Sequence, residues 1–282
     1  SFLDSFLDFS YDPGPLVGVN PLVWSGPLSE LQQTAVRYAL FNFSFVSDVV
    51  FTEKNFGDPN ATLRFGEASG TFTAFGFFPN GTESGGDILF NPNDYNNPLI
   101  GTFDYATVIH EIGHTMGLKH GHVTDSPQGP DVGSLTADKD SLEYSIMTYN
   151  SYVGHNQQPG NYVTRTDSFP QTLMMYDMAA LQRLYGANFE HLKTDTNYTF
   201  NPTNGETTVD GVLYLNPIEN VTFLTLWDGG GKDTYDLSNY TTNLALDLTP
   251  GEYSDFDVGG NAQRAQLNRG VNSHATLVAE SE

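Results

Sequence analysis

The chain has 282 residues, enough for one large domain or two smaller ones, and 38% of them are hydrophobic, which suffices for a buried core. Against 34 Asp and Glu there are 11 Lys and Arg, and the resulting net charge of −23 argues against nucleic acid and anionic membranes as partners, because both would repel the chain. The absence of cysteine excludes disulfides, thiolate metal sites and cysteine nucleophiles.

Three segments have the apolar spacing of amphipathic helices. They are residues 27–43, 102–117 and 172–187. Ser29 can cap the first helix, and Gly117 and Gly186 are natural ends for the other two. No apolar run approaches the roughly 20 residues needed to span a bilayer. The chain begins with Ser and shows no signal-peptide pattern, so we interpret it as a processed or trimmed product.

Three segments rich in β-branched and aromatic residues predict strands. They are residues 47–53, 61–67 and 71–79. The Gly-, Asn- and Pro-rich residues 85–98 are interpreted as a loop. Beyond about residue 190, short Thr-, Asn- and Leu-rich segments between Gly and Pro predict all-β structure. We therefore place a domain boundary there, with one domain over residues 1–190 and a β-rich region over residues 191–282.

The second predicted helix carries an extended histidine motif, H-E-x-x-H-x-x-G-x-x-H. His110 and His114 are four residues apart, so they share one helical face and can bind one ion. A turn at Gly117 lets His120 supply a third nitrogen, and three imidazoles with an open position are typical of catalytic zinc. Glu111 is the general base for the attacking water. The alternative, a solvated helix rich in histidine, would need five fixed residues to occur by chance.

A second motif, "SIMTY" at residues 145–149, follows this helix. The two motifs together resemble the metzincin zinc endopeptidases. The resemblance implies that Met147 forms a Met-turn beneath the zinc, whereas taken alone it would be a core residue. It also implies that Tyr149 is a further, displaceable zinc ligand that swings away to stabilise the oxyanion.

Among the metzincins, the serralysins are the most similar. The similarity lies in "VIHEIGHTMGLKHGH", "MAALQRLYGAN" and "TLWDGGGKDTYDLSNY". The stretch "TAFGFFP" also resembles the serralysin edge strand, which binds an extended substrate by β-augmentation and thus with little side-chain selectivity. The residues that this resemblance assigns to the edge strand are Ala74, Phe75, Gly76 and Phe77.

The fragment "DGGGKDTYD" predicts a calcium site. Asp228 and Asp233 flank glycines that can turn carbonyls inward, and such oxygen ligands suit calcium. Gly230 and Gly231 would contribute those carbonyls. The alternative is an acidic hairpin turn. Serralysins carry many tandem glycine-rich repeats of this kind, whereas this fragment is the only stretch of the chain that approaches the repeat pattern.

A further departure lies beside the third histidine. Lys119 and the pair Gly121-His122 stand where serralysins often have Ala and Pro-Gly. We expect this change to affect the substrate rim more than the chemistry. His122 lies outside the zinc motif and is interpreted as a surface residue.

The sequence thus predicts an α+β/α/β metzincin catalytic domain, with a twisted mostly parallel sheet, the zinc helix and a C-terminal helix. A small all-β, partial β-roll or sandwich-like region follows it. We expect a secreted, extracellular, monomeric zinc endopeptidase of broad specificity for proteins, with one catalytic zinc and one or more structural calcium ions. A separate protein inhibitor or propeptide remains open as a partner. The alternative is a calcium-dependent binding or adhesion module with a vestigial zinc site, against which the retention of Glu111 argues.

Overall fold

The computed structural model describes residues 23–54, 58, 60–70, 73–122, 134–155, 162–260, 263–267, 274–275 and 277–280. It confirms the three predicted helices. They are α1 (Glu30–Val46), α2 (Phe103–Thr115) and α3 (Met175–Tyr185). None of the helices within these ranges is long and apolar enough to cross a membrane.

Short-range hydrogen bonds and glycines define the helix ends. Ser29 and Gln32 form a capping box, in which each side chain accepts the main-chain N–H of the other residue. The Thr102 side chain accepts the N–H of Tyr105 at the start of α2. Gly117, just beyond α2, has a φ of +92°, a left-handed conformation that favours glycine. This turn leads the chain away from the helix toward His120.

A four-stranded sheet packs beside α2 in the order β1-β2-β4-β3. Its strands are β1 (Val23–Gly26), β2 (Arg64–Ser69), β3 (Phe75–Gly76) and β4 (Asp87–Phe90). Only β2 and β4 pair in parallel, whereas β1 and β3 pair antiparallel to their neighbours. The prediction of a mostly parallel sheet is therefore wrong for the described strands. The short connection of residues 77–86 contains no crossover helix, so β3 and β4 can pair only as antiparallel neighbours.

Two predictions within this sheet need correction. Residues 47–53 form no strand, since Ser47 makes only an isolated bridge and Val50 is 87% exposed. The predicted loop over residues 85–98 instead contains β4, all four residues of which are buried. Asp87 of this strand is buried and forms an ion pair with Arg64 of β2. Because of this pairing, a charged residue typical of loops can lie in a central strand. Of the predicted strand 71–79, only β3 is described as strand, and residues 71 and 72 lie outside the described residues.

The region after α3 is rich in β-structure, as predicted. Its strands are β5 (Asn197–Phe200), β6 (Thr207–Val209), β7 (Val212–Leu215), β8 (Phe223–Leu226), β9 (Thr234–Asp236), β10 (Tyr253–Ser254), β11 (Ala265–Gln266), β12 (His274–Ala275) and β13 (Leu277–Glu280). They form sheets in the orders β7-β6-β5-β9, β10-β13-β8 and β11-β12. Parallel pairs (β5 with β9, β8 with β13) occur beside antiparallel ones.

The β-rich region shares a hydrophobic core with the helices. Phe223 and Trp227 are buried in the same cluster as Ile112 of α2 and Leu181 of α3. The Trp227 indole N–H also donates to the carbonyl of Asn188 at 2.8 Å. Burial of such large aromatic side chains is a main source of packing free energy. The β-rich region therefore packs against the helices and contacts the chain just beyond the end of α3.

Candidate metal centre

Three histidine nitrogens converge where α2 ends. The Nε2 atom of His120 lies 3.1 Å from that of His110 and 3.0 Å from that of His114. His110 and His114 stand one turn apart on α2, and the Gly117 turn returns His120 to the same point. Among the described residues, these three form the one group of at least three His, Cys, Asp or Glu whose ligand atoms lie within 4.8 Å of one another.

The opposite ring nitrogens are held by main-chain carbonyls. His110 Nδ1 lies 2.8 Å from the carbonyl oxygen of Ile146, and His114 Nδ1 lies 2.8 Å from that of Leu118. Because a carbonyl oxygen only accepts, each Nδ1 must carry the proton and each Nε2 must present a lone pair. Lone pairs that face one another at this spacing repel unless a cation lies between them. The three imidazoles therefore fit zinc, which binds imidazole nitrogen. Histidines that bind zinc usually donate their other ring N–H to a carbonyl or carboxylate, as His110 and His114 do here.

Burial keeps the imidazoles in the neutral form that binds metal. It lowers the pKa of His114 to about 4 and that of His120 to about 3, with the neighbouring histidines contributing in the case of His120. The pKa of His110 is also lowered, mainly by burial and then by the other histidines. Neutral imidazole is the form required of a ligand, so burial and metal binding favour the same protonation state.

Glu111 lies between α2 and the strand β3. Its carboxyl accepts the main-chain N–H of Gly76, while burial raises its pKa to about 8. The strand and the helix are in direct contact there, since a β-carbon built on Gly76 would lie 2.1 Å from the main-chain oxygen of Glu111. Only a glycine permits this approach. The carboxyl is thus held beside the three histidines without being one of the converging groups.

The Met-turn packs directly under α2. A β-carbon on Gly113 would lie 2.6 Å from Sδ of the buried Met147. The Met147 carbonyl in turn accepts the N–H of Gly121 at 3.1 Å, which ties the turn to the segment that carries His120. Met147 thus lies between α2 and the segment that carries His120.

Asp177 of α3 holds this turn, and sequence reasoning missed it. Its buried carboxylate accepts the Ser145 hydroxyl at 2.6 Å and the N–H of Ile146 at 2.8 Å. The same peptide segment presents the Ile146 carbonyl to His110. Asp177 therefore supports the metal centre through one intervening residue. The available signal was a single acidic residue among the apolar residues of "LMMYDMAAL".

Three further rings, those of Tyr149, His122 and Phe78, lie near the converging histidines. The ring centroid of Tyr149 lies 4.5 Å from that of His120. Burial, and to a lesser extent the charge of Glu111, raises the pKa of the Tyr149 phenol to about 12. His122, predicted to be a surface residue, is instead only partly exposed and lies 4.9 Å from the Tyr149 ring. The Gly121 contact with the Met-turn directs it inward, which corrects that prediction. The ring centroid of Phe78 lies 5.1 Å from that of His114.

Comparisons with known proteins agree with these motifs. A family model described as Peptidase M10 serralysin C terminal matches residues 187–277. The chain is 34% identical over 245 residues to Serralysin G of Dickeya chrysanthemi, covering 82% of this chain and 48% of that protein. It is 32% identical over 250 residues to Metallopeptidase AprA of Pseudomonas marginalis, and the match covers 85% of this chain and 50% of that protein. The chain is therefore serralysin-like. The chain is also 31% identical over 265 residues to Serralysin of Proteus mirabilis, and this match covers 86% of the chain and 51% of that protein.

This serralysin-like chain spans about half the length of the curated relatives it matches. The family-model match begins at residue 187, close to the domain boundary predicted near residue 190. It covers the β-rich region, including the acidic turn at Asp228.

In the β-rich region, the carboxylates of the acidic turn, Asp228 and Asp233, accept hydrogen bonds from nearby residues. Asp228 accepts the Tyr198 hydroxyl at 2.6 Å and the N–H of Gly230 at 2.9 Å, and Asp233 accepts the N–H of Thr196 at 2.9 Å. A β-carbon on Gly231 would lie 2.6 Å from the main chain of Thr194, so the turn packs closely on residues 193–196. Within the described part of the chain, its carboxylates do not converge as the three histidines do.

Like charges nevertheless accumulate around this turn. The pKa of Asp233 is raised, first by burial and then by the negative charges of Asp228, Asp195 and Asp210. A bound cation would remove that repulsion.

Proposed function

We propose that this chain is a zinc-dependent endopeptidase that hydrolyses peptide bonds in proteins. The observation that carries the proposal is the convergence of three Nε2 atoms, each on a neutral imidazole, with the Glu111 carboxyl beside them. A purely structural zinc site has no need of a carboxyl that stays out of the ligand set. The serralysin-like sequence supports the same activity.

Each residue has a distinct role in this proposal. His110, His114 and His120 would hold one zinc ion, which supplies Lewis-acid activation of the carbonyl and of water when bound. Glu111 takes a proton from the attacking water and delivers it to the leaving amine. Tyr149 would serve as a fourth protein ligand of that ion, and its hydroxyl would donate a hydrogen bond to the carbonyl oxygen, where negative charge develops. Its raised pKa keeps that hydroxyl protonated.

The substrate lies along the free edge of β3, which is the end strand of its sheet. Phe77 exchanges hydrogen bonds with Asp87 and Gly86 on the inner side, so the main chain of the adjacent Gly76 faces outward. Its N–H donates to the Glu111 carboxyl, so its carbonyl is the group that it can offer to a peptide. The edge strand of Ala74, Phe75, Gly76 and Phe77 can therefore bind an extended peptide through its main chain. Ala74 is buried and contributes packing rather than direct contact. Main-chain pairing is the reason to expect broad specificity.

The acidic turn is proposed as a structural calcium site. Asp228, Asp233 and the carbonyls of Gly230 and Gly231 are the ligands, and the like charges around Asp233 favour a divalent cation. Residues 1–190 then form the catalytic domain and residues 191–282 its partial β-roll. We further propose that the protein acts as a secreted, extracellular monomer, and a protein inhibitor remains open as a partner.

Casein hydrolysis with and without 1,10-phenanthroline tests the activity. The zinc-loaded protein should hydrolyse casein, the chelator should stop it, and Glu111→Gln should bind zinc but lose activity. Glu252→Gln, at an exposed carboxyl of the β-rich region, is the control and should remain active. Failure of the zinc-loaded protein to cleave any protein would overturn the proposal. It would favour the alternative, a calcium-dependent binding module with a vestigial zinc site.

A further inference from the structure

An apolar cavity of about 440 Å³ opens at the end of the proposed substrate edge. Its wall comes from the loop after α1, the residues before β2, the end of α2 and the end of α3. The lining includes Val49, Val50, Phe51, Leu63, Met116 and Tyr185. Most of these side chains are apolar, and Lys54 is the charged residue among the lining residues. A cavity of this size and character suits a bulky apolar group.

The cavity borders the end of α2, just beyond His114 along the chain. Thr115 and Met116, the two residues that follow this ligand, belong to its wall. Pro79 also lines the cavity, and the ring centroid of the preceding residue, Phe78, lies 5.1 Å from that of His114. The same chain segment therefore runs from the substrate edge into the cavity wall.

The distance along the edge predicts which substrate residue reaches this cavity. Gly76 contacts Glu111, so the scissile bond lies opposite Gly76 in the proposed function. Pro79 is three residues further along the chain. At about 3.3 Å per extended residue, it lies about three substrate residues from the scissile bond.

The direction of the substrate follows from the pairing that the edge favours. Antiparallel pairing is slightly more stable per residue than parallel pairing. A peptide antiparallel to β3 runs from Pro79 toward Ala74. Its residues before the scissile bond then lie beside Phe78 and Pro79, at the mouth of the cavity.

We propose that this cavity binds a bulky apolar side chain, such as Leu, Phe or Met, about three residues before the scissile bond. The inference rests on the proposed endopeptidase function and adds one side-chain preference to an otherwise main-chain interaction. Val50 forms part of the lining and is 87% exposed, so a hydrophobic substrate group would cover it. The methylene groups of Lys54 can extend the apolar contact while its ammonium stays in water.

Two variants alter the cavity without touching the metal centre. Ala61→Trp would fill it, because Ala61 is a small residue of its wall. Val50→Glu would place a charge at its exposed side, where folding should tolerate the change. Val212→Trp, on the exposed strand β7, is the control for adding a large side chain elsewhere.

The test uses quenched-fluorescence peptides that differ only at the third and fourth residues before one scissile bond. With the zinc-loaded protein, kcat/KM should be about tenfold higher for Leu than for Ser at one of these positions, as for a side chain entering an apolar pocket. The preference should fall below about twofold in Ala61→Trp and in Val50→Glu, and persist in Val212→Trp. A preference that survives both cavity variants, or the lack of a preference at both positions, would overturn the inference.

A binding measurement separates this inference from the proposed function. The same peptides are titrated into zinc-loaded Glu111→Gln, and the Leu peptide should bind about tenfold more tightly than the Ser peptide. If the wild-type protein cleaves nothing, the endopeptidase proposal fails and this binding series alone decides the cavity. Equal binding of both peptides would contradict the cavity inference, whatever the activity.

Discussion

Gly113 and Met147 are in such close contact that a β-carbon on Gly113 would lie 2.6 Å from the Met147 sulfur. The helix α2 and the segment that carries Met147 therefore pack through a residue that lacks a side chain. Both residues are buried, so neither side can move without disturbing the core. The contact joins two motifs that are far apart in the sequence.

Gly113→Ala should destabilise the protein. Overpacking of a core costs about 1–3 kcal/mol, and the gain in helix propensity offsets only about 0.5–1 kcal/mol of this. Urea denaturation would measure the free energy of unfolding. In the Met147→Ala background the added methyl has space, so the same substitution should cost less or even stabilise. Equal effects in both backgrounds would mean that the two residues are not coupled.

Asp177→Asn should weaken both the fold and the metal site. The amide would present N–H groups to donors that now reach a carboxylate, which costs about 1–3 kcal/mol. Zinc affinity should fall about tenfold, because the Ile146 peptide orients His110. Competition with a chromophoric chelator measures that affinity. Asp94→Asn, at an exposed carboxyl, is the control, and an unchanged zinc Kd in Asp177→Asn would restrict the residue to a structural role.

Tyr149→Phe should retain zinc and lose catalysis. Removal of a hydrogen-bond donor to a developing oxyanion costs about 10²–10³-fold in kcat. The ring stays beside His120, so packing around the histidines is preserved. Steady-state kinetics together with zinc titration separate the two effects. Tyr152→Phe, which removes a hydroxyl outside this group of rings, should leave kcat unchanged, whereas zinc loss in Tyr149→Phe would make Tyr149 chiefly a structural ligand.

Removal of calcium should lower the melting temperature and speed self-digestion. A cation that binds only the folded state stabilises it according to its concentration and Kd. Without the cation, the charges near Asp233 repel one another. Thermal melts in calcium and in EGTA measure the shift, which should shrink in Asp233→Asn. Superimposable melting curves in the wild-type protein would contradict the calcium proposal.

Local sequence patterns predicted the helices well and the sheet poorly. Helix spacing, the Ser29 cap and the glycine ends act within a few residues, so they are visible in the chain itself. Strand pairing instead depends on distant partners. Asp87 reads as a loop residue, yet it lies in a central strand because Arg64 of the adjacent strand neutralises it. Residues 47–53 have the composition of a strand but make only an isolated bridge, between Ser47 and Ala187.

The amino-acid sequence by itself determined the three metal-binding candidates and Glu111, because helical periodicity and one glycine turn already bring them to the same side. Only the tertiary structure decided which groups surround them. Asp177, His122 and Phe78 reach the centre through contacts between segments that no local spacing encodes. The cavity likewise exists only where five separate segments meet, among them the one that contains Pro79. The local arrangement of the histidines and Glu111 follows from the sequence of one helix and turn, whereas packing between distant segments determines which residues surround them.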